Sequence, residues 1–372
     1  MKILHTGDIH LDSPFAGLSP ETAKKRRAEL RAAFSDIITY VRTQSVDLLL
    51  IAGDLFDKNY VTRDTVALLR QAFSSLDCPV VIAPGNHDPA DEKSIWMKKD
   101  IFPKNVFIFQ SANLSSFFFE KLNCRVYGYA FEQSSLRTCP LEGKAVENPD
   151  EINILCAHGD TTSPISSYGP LPAGALENFG AGYCALAHIH NPDNATAALT
   201  VPGAYCGCPE GRDFGETGIK GAVLVTLDKE HLQLERIRFC RRIYEQRALN
   251  ADGAAEQGDV LAAVRALIQN EAFGDDVLLR ITLQGSTAPE FSIDTSALAE
   301  AAGEGLFHLE IRDETVPTWN ADLLQQDHGM RGELYRVLLP RLENADSMER
   351  ETGSRALRYA MAALAGESLP LE

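Results

Sequence analysis

Short apolar runs that each end in a small polar cluster recur along residues 1–240, and they constrain the fold more than any other feature. Residues 2–6, 47–52 and 79–83 are leucine-rich or β-branched, and helical stretches at about 19–44 and 63–76 separate them. Apolar strands joined by helices are typical of parallel sheets that are buried on both faces. The order β-α-β-α-β therefore predicts an α/β fold with a largely parallel sheet.

Further strand-like runs follow at residues 106–109, 124–130, 152–156, 183–187 and 221–227. Two sheets between helices, an αββα sandwich, accommodate that many strands. After residue 242 we predict a helix at 259–270 and strands at 276–283 and 307–312. We therefore expect three parts: residues 1–242, a small α/β domain at 243–320, and a charged helical segment at 321–372 that is broken at Pro340 and near Gly353.

Composition narrows the class of protein. Of the 372 residues, 45% are hydrophobic and 23% are charged, as in a globular protein. No apolar run approaches the roughly 20 residues that span a bilayer. The N-terminus also lacks a signal-peptide pattern, so we expect a cytoplasmic protein without a membrane segment. The eight cysteines form no paired framework. They are interpreted as reduced thiols, with metal binding by Cys206-Gly207-Cys208 as the alternative.

The formal net charge of −17 argues against a protein that coats nucleic acid through bulk electrostatics. Local clusters of Lys and Arg stand at residues 24–31 and 236–242. Each is either a solvated face or a nucleic-acid contact.

His, Asp and Asn side chains stand at the ends of five predicted strands. Because the carboxyl ends of parallel strands meet at one edge of a sheet, we expect these side chains to share a site. Each cluster alone is common in turns, but their joint occurrence predicts a functional centre. The residues are Asp8 and His10, Asp54 and Asp57, Asn86 and His87, His158, and His188 and His190.

Imidazole and carboxylate ligands suit manganese, iron or zinc better than calcium or magnesium. Two cations about 3.5–4 Å apart acidify a water and neutralise charge on a phosphoryl group. Asp54 follows the buried central strand, and we predict that it bridges both cations. Two dications, two carboxylates and a hydroxide leave a site charge of about +1, which attracts an anionic substrate.

The ordered motifs D-x-H, G-D-x-x-D, G-N-H-D, H-G and H-x-H resemble those of the calcineurin-like metallophosphoesterases over roughly residues 1–240. The resemblance implies that His87 is the catalytic histidine and that Asp57 orients it. It also implies two sets of metal ligands. One metal would take Asp8, His10, Asp54 and His190, and the other Asp54, Asn86, His158 and His188.

Within that superfamily the chain resembles the SbcD-like DNA repair nucleases at residues 5–15 and 47–57 and at Pro202-Gly203, Arg212, Glu216 and Lys220. This likeness implies a DNA exo- or endonuclease that uses two Mn²⁺ ions, with iron or zinc as alternatives. It further implies a homodimer, a capping domain after residue 243, and a helical segment that docks on a coiled-coil, SbcC-like ATPase.

Two other functions remain open from the sequence. The same chemistry serves a phosphodiesterase or phosphatase acting on a small nucleotide or phosphoester, which the acidic net charge favours. An assembly subunit for the ATPase is the third hypothesis, and the complete ligand set counts against it.

Overall fold

The computed structural model describes residues 1–58, 60–288, 291–317 and 321–365. The chain divides into two compact units, Met1–Tyr244 and Glu245–Glu372. Residues 318–320, at a predicted domain boundary, and residues 366–372 of the predicted helical segment lie outside the described residues.

In the first unit, α-helices separate the strands at residues 2–82 and 152–205, and short 3-10 helices at Ile95–Met97 and Glu120–Leu122 lie between these two regions. Its elements are β1 (Lys2–Thr6), α1 (Pro20–Thr43), β2 (Leu48–Ile51), α2 (Arg63–Ser74), β3 (Val80–Ile82), β4 (Val106–Ile108), β5 (Ser115–Phe119), β6 (Cys124–Gly128), β7 (Ile152–His158), α3 (Ala173–Phe179), β8 (Tyr183–Ala187), α4 (Pro192–Ala197), β9 (Gly203–Tyr205), β10 (Gly221–Leu227) and β11 (Leu232–Arg238).

These strands form two sheets. The first has the order β11-β10-β1-β2-β3-β4, and the second has the order β5-β6-β7-β8-β9. Neighbours from β1 to β4 and from β6 to β9 are parallel, as predicted. The exceptions are β10 with β1, β11 with β10, and β5 with β6, which pair antiparallel. Strands β10 and β11 are joined by four residues, a connection too short for a parallel crossover.

The two sheets pack face to face with helices outside them, which confirms the predicted αββα sandwich. Nδ1 of His5 in β1 lies 2.9 Å from the hydroxyl oxygen of Tyr183 in β8. These two strands, one from each sheet, therefore face each other across the interior. Leu30 and Phe34 of α1 belong to the core that the two sheets share. Phe179 of α3 belongs to a second core beside the second sheet. The helix α1 begins as predicted, because Ser19 accepts the backbone N–H of Thr22.

A further strand, β12 (Ile243–Asn250), continues into the second unit. The elements that follow it are α5 (Gln257–Asn270), β13 (Val277–Gln284), β14 (Ser286–Thr287), α6 (Thr295–Ala302), β15 (His308–Asp313), β16 (Val316–Pro317), α7 (Ala321–Gln326), α8 (Met330–Leu342) and α9 (Ser347–Ala365). Three strands form a sheet of order β12-β13-β15, and this α/β part has a core of its own around Val264, Leu279 and Leu298. The helices α7 to α9 form a separate apolar cluster.

The predicted helix break near Gly353 is wrong, and the break predicted at Pro340 falls two residues later, because α8 ends at Leu342 and α9 begins at Ser347. Pro340 lies in the last turn of α8, where its missing N–H removes one helical hydrogen bond without ending the helix. Gly353 lies inside α9, and an added Cβ there would be 2.9 Å from Cβ of Arg341 in α8. This glycine therefore permits close helix packing. No helix within the described ranges has both the length and the apolarity needed to cross a bilayer.

Candidate metal centre

The loops after β1 and β2 are joined by backbone hydrogen bonds that set the first ligands side by side. The N–H of Asp8 donates to the carbonyl of Gly53 at 3.0 Å, and the N–H of His10 donates to that of Asp54 at 2.9 Å. Asp8, His10 and Asp54 all have a left-handed backbone, with φ between 47° and 50°. Such conformations cost free energy in residues other than glycine and cluster at functional sites. The fold therefore holds these three side chains in a strained, convergent arrangement.

Asp54 lies at the middle of the centre. Its Oδ2 is 3.7 Å from Nε2 of His10 and 3.5 Å from Nε2 of His158. On one side of Asp54, Nε2 of His190 is 3.7 Å from Oδ1 of Asp8. These separations exceed those of hydrogen bonds and match ligand atoms that each lie about 2.1 Å from a shared cation. The potential ligand atoms of Asp8, Asp54 and His158 all lie within 4.8 Å of one another.

The other side of Asp54 carries the remaining predicted ligands. Nε2 of His158 is 2.9 Å from Oδ1 of Asn86, and its ring centroid is 5.1 Å from that of His188. Burial lowers the pKa of His188 to about 4, so its imidazole is neutral and able to bind a metal. All seven predicted ligands thus surround one small volume at the carboxyl ends of β1, β2, β3, β7 and β8.

Buried partners orient three of the ligand histidines through Nδ1. The distances from Nδ1 are 2.8 Å from His10 to Oδ1 of Asp57, 3.1 Å from His158 to the carbonyl oxygen of Ala52, and 2.6 Å from His190 to Oε1 of Glu216. An imidazole whose Nδ1–H donates outward keeps the Nε2 lone pair for the centre, an arrangement typical of metal ligands. Nε2 of His10 is buried and has no hydrogen-bond partner among the described residues. The donor set therefore fits divalent cations bound by nitrogen and oxygen.

His87 lies at the exposed edge of the centre, with 49% of its side chain accessible. Its Nδ1 is 2.9 Å from Oδ1 of Asp57, the oxygen that His10 also contacts. The hydrogen bond that His87 donates to Asp57 raises the pKa of His87. Burial opposes ionisation of Asp57, but hydrogen bonds from both histidines outweigh it and lower the pKa of that carboxyl. His87 is thus an accessible imidazole that is held by Asp57 and whose raised pKa favours the protonated form.

Asp88 is a buried carboxylate whose role the sequence did not reveal. It accepts hydrogen bonds from the backbone N–H groups of Gly85, Asp54 and Leu55, at 2.7, 3.1 and 2.8 Å. Burial and the nearby Asp54 raise its pKa. Asp88 therefore ties the loop after β3 to the loop after β2. Its position at the end of the G-N-H-D motif is the signal that could have identified it.

Glu216 and Arg212 were also missed as parts of the centre. Oε1 of Glu216 accepts from His190 at 2.6 Å and from Nη2 of Arg212 at 2.8 Å. Burial opposes ionisation of Glu216, but His190 and Arg212 lower its pKa. The carboxylate is therefore charged and fixes the His190 ring. No local spacing indicated this contact, because residues 190 and 216 belong to separate loops.

Replacing Gly85 by alanine is expected to disrupt the centre, because the added Cβ would overlap the Oδ1 and the backbone nitrogen of Asp54. Displacing a ligand by about 1 Å costs on the order of 10²-fold in rate. Gly174→Ala in α3 is the matched control, since its Cβ would meet nothing within 4 Å. Mn²⁺ titration and hydrolysis of bis-p-nitrophenyl phosphate test this. Wild-type behaviour of Gly85→Ala would contradict the described position of Asp54.

Comparison with known proteins agrees with this geometry. Residues 1–192 match the family described as calcineurin-like phosphoesterase, and the chain belongs to that family. The matched range contains every predicted ligand together with His87 and Asp57. The chain is therefore a metal-dependent phosphoester hydrolase. It is 29% identical over 306 residues to the uncharacterized metallophosphoesterase YhaO of Bacillus subtilis (strain 168), an alignment that covers 79% of this chain and 74% of that protein.

Proposed function

We propose that this protein is a two-metal phosphodiesterase that cleaves DNA. The observation that carries the proposal is the position of Asp54, whose Oδ2 lies between His10 and His158 with further ligands on both sides. One metal is assigned to Asp8, His10, Asp54 and His190, and the other to Asp54, Asn86, His158 and His188. When bound, two divalent cations acidify water and neutralise charge on the phosphoryl oxygens.

In this proposal the chain's own side chains place the substrate and supply a proton. His87 donates a proton to the leaving oxygen, since its pKa is raised and its ring is accessible at the edge of the centre. Asp57 holds Nδ1 of His87, so that Nε2 faces the substrate. Glu216 keeps the His190 ring in place through Nδ1.

A nucleic-acid substrate is supported by the edge of the centre. Tyr168 is 42% exposed, and its ring centroid lies 5.1 Å from that of His188. Exposed aromatic rings beside phosphate-binding groups are suitable surfaces for stacking nucleobases. The resemblance to SbcD-like nucleases supports DNA as the polymer and a role in DNA repair. The cytoplasmic location expected from the N-terminal sequence remains part of the proposal.

A small phosphoester is the second candidate substrate, favoured by the net charge of −17, which disfavours long polyanions. A substrate panel with Mn²⁺ separates the two. We expect turnover of bis-p-nitrophenyl phosphate and of single- or double-stranded DNA, its loss with a chelator, and its recovery on adding Mn²⁺. Turnover of cyclic nucleotides or phosphomonoesters, with DNA left intact, would reject DNA as the substrate.

A partner on the C-terminal helices remains part of the proposal. Met330, Val337 and Met348 of α8 and α9 are 72%, 66% and 75% exposed. Met330 and Val337 are seven positions apart and so lie on one face of α8, and apolar side chains exposed on one face are typical of protein contacts. They support a docking role for residues 321–372 on a coiled-coil, SbcC-like ATPase. The homodimer implied by the resemblance is likewise a proposal.

A further inference from the structure

A buried ion pair joins helix α1 to the loop at residues 206–220, between β9 and β10. Nη2 of Arg26 donates to Oε1 of Glu210 at 2.7 Å and to the backbone carbonyl of Gly211 at 2.8 Å. Nη1 of Arg26 donates to Oε2 of Glu29 at 2.6 Å, within the same helix. The side chains of Arg26 and Glu210 have no accessible surface. The guanidinium group therefore bridges the helix and the loop in the interior of the first unit.

Glu210 also binds the chain where it enters β12. Its Oε2 accepts the backbone N–H of Arg241 at 2.7 Å, and its Oε1 accepts that of Arg242 at 3.2 Å. In β12, the hydroxyl of Tyr244 donates to the backbone carbonyl of Arg212 at 3.0 Å. This part of the loop is therefore held both by α1 and by the start of β12.

The anchored stretch leads directly to the metal centre. The carbonyl that Arg26 binds and the N–H of Arg212 belong to one planar peptide group. That N–H donates to Oε2 of Glu216 at 2.7 Å, and Oε1 of the same carboxylate is 2.6 Å from Nδ1 of His190. Nε2 of His190 is in turn 3.7 Å from Oδ1 of Asp8. A series of hydrogen bonds through one peptide group thus connects α1 to a predicted metal ligand.

Stability alone does not account for a buried ion pair of this kind. Removing two charges from water costs free energy, and well-packed apolar residues often serve stability as well or better. Nε of Arg26 is also buried without a hydrogen-bond partner among the described residues. What the guanidinium group supplies is orientation, because its planar, rigid set of donors fixes the angle of each group that it binds. Here it fixes the peptide group that holds Glu216.

We propose that Arg26 and Glu210 position the predicted metal ligand His190 through the bridging peptide group and the carboxylate that it binds. Arg26 acts through other residues and is therefore a positioning residue. This inference rests on the proposed two-metal function, in which His190 belongs to one cation only. It adds a requirement from α1, a helix that carries no assigned ligand, for the cation assigned to Asp8, His10, Asp54 and His190.

The test replaces the ion pair with a neutral pair, Arg26→Met/Glu210→Gln. Removing both charges together avoids an unpaired buried charge, and glutamine keeps an oxygen for the backbone N–H groups at residues 241–242. We expect the wild type to bind Mn²⁺ at two positions. The variant should keep one of them, while the affinity of the other falls by roughly tenfold, the lower end of the effect of losing a partner of a metal ligand. Calorimetric titration and electron paramagnetic resonance measure both positions, and saturating Mn²⁺ should restore hydrolysis of bis-p-nitrophenyl phosphate.

The matched control is Arg125→Met/Glu151→Gln, which removes another ion pair, at the opposite ends of β6 and β7 from the centre. It should leave both Mn²⁺ affinities unchanged. Arg26→Lys keeps the buried charge but lacks the planar set of donors, so it should weaken the same single position, and it decides the question if the double variant does not fold.

The number of weakened positions separates the possible results. If the Arg26/Glu210 variant binds two Mn²⁺ ions with wild-type affinities, the positioning role is wrong and the proposed function stands. If both affinities fall alike, together with the melting temperature of the metal-free protein, the ion pair is only structural and the inference fails. If the wild type itself binds fewer than two Mn²⁺ ions, the proposed two-metal function fails.

Discussion

Replacing His87 by alanine is expected to lower kcat for DNA cleavage by about 10²–10⁴-fold, the usual contribution of a general acid. The imidazole is exposed at the edge of the centre and is held by Asp57 at 2.9 Å, so it is placed to protonate a leaving oxygen. Mn²⁺ binding should persist, because His87 is not among the assigned ligands. Single-turnover cleavage and Mn²⁺ titration measure the two effects separately.

The leaving group provides an internal control for His87→Ala. A p-nitrophenolate leaves without protonation, so bis-p-nitrophenyl phosphate should lose much less activity than DNA. Asp57→Asn should give a smaller defect of the same kind, since it weakens only the orientation of the ring. DNA cleavage at the wild-type rate by His87→Ala would remove the proton-donor role.

Replacing Asp54 by asparagine is expected to abolish hydrolysis of every substrate, a loss greater than the roughly 10⁴-fold upper range for a general acid. The change keeps the side chain's shape but removes the charge that lies 3.7 Å from His10 and 3.5 Å from His158. Both assigned metals share this carboxylate, so the amount of bound Mn²⁺ should fall at both positions. Metal analysis after gel filtration measures that content.

Thermal unfolding gives a second measurement on Asp54→Asn. A ligand at about 100 times its dissociation constant stabilises the native state by about 2.7 kcal/mol, and this Mn²⁺-dependent gain should largely disappear in the variant. Asp91→Asn is the control, because that carboxylate forms a surface pair with Lys58 outside the assigned ligand set. Full Mn²⁺ loading of Asp54→Asn would disprove the bridging role.

The site residues at the strand ends could be predicted because an apolar run followed by polar residues is a local sequence pattern. The apolar runs that became β1, β2, β3, β7 and β8 are followed directly by the residues assigned as ligands, and parallel pairing brings those ends together. The sequence likewise predicted a helix from about residue 19, and Ser19 is the N-cap residue of α1. Most of the candidate site therefore followed from the order of motifs.

The features of the fold and of the site that the sequence did not predict depend on contacts between residues that are distant in sequence. Strand β11 carries exposed leucines and charged residues without a clear alternating pattern, and it is a strand because it pairs with β10. Glu216 contacts His190 across 26 positions of sequence. The sequence predicted a helix break near Gly353, but this glycine lies inside α9, where the absence of a side chain allows α9 to pack closely on α8. Local patterns do not contain such information.

One oxygen of Asp57 contacts both the predicted ligand His10 and the predicted proton donor His87. Oδ1 contacts Nδ1 of both His10 and His87, at 2.8 and 2.9 Å. A cation bound at Nε2 of His10 would fix that ring, and with it the Asp57 carboxylate that also holds His87. Loss of the cation would therefore loosen the orientation of the proposed proton donor as well as remove the chemistry that the cation supplies.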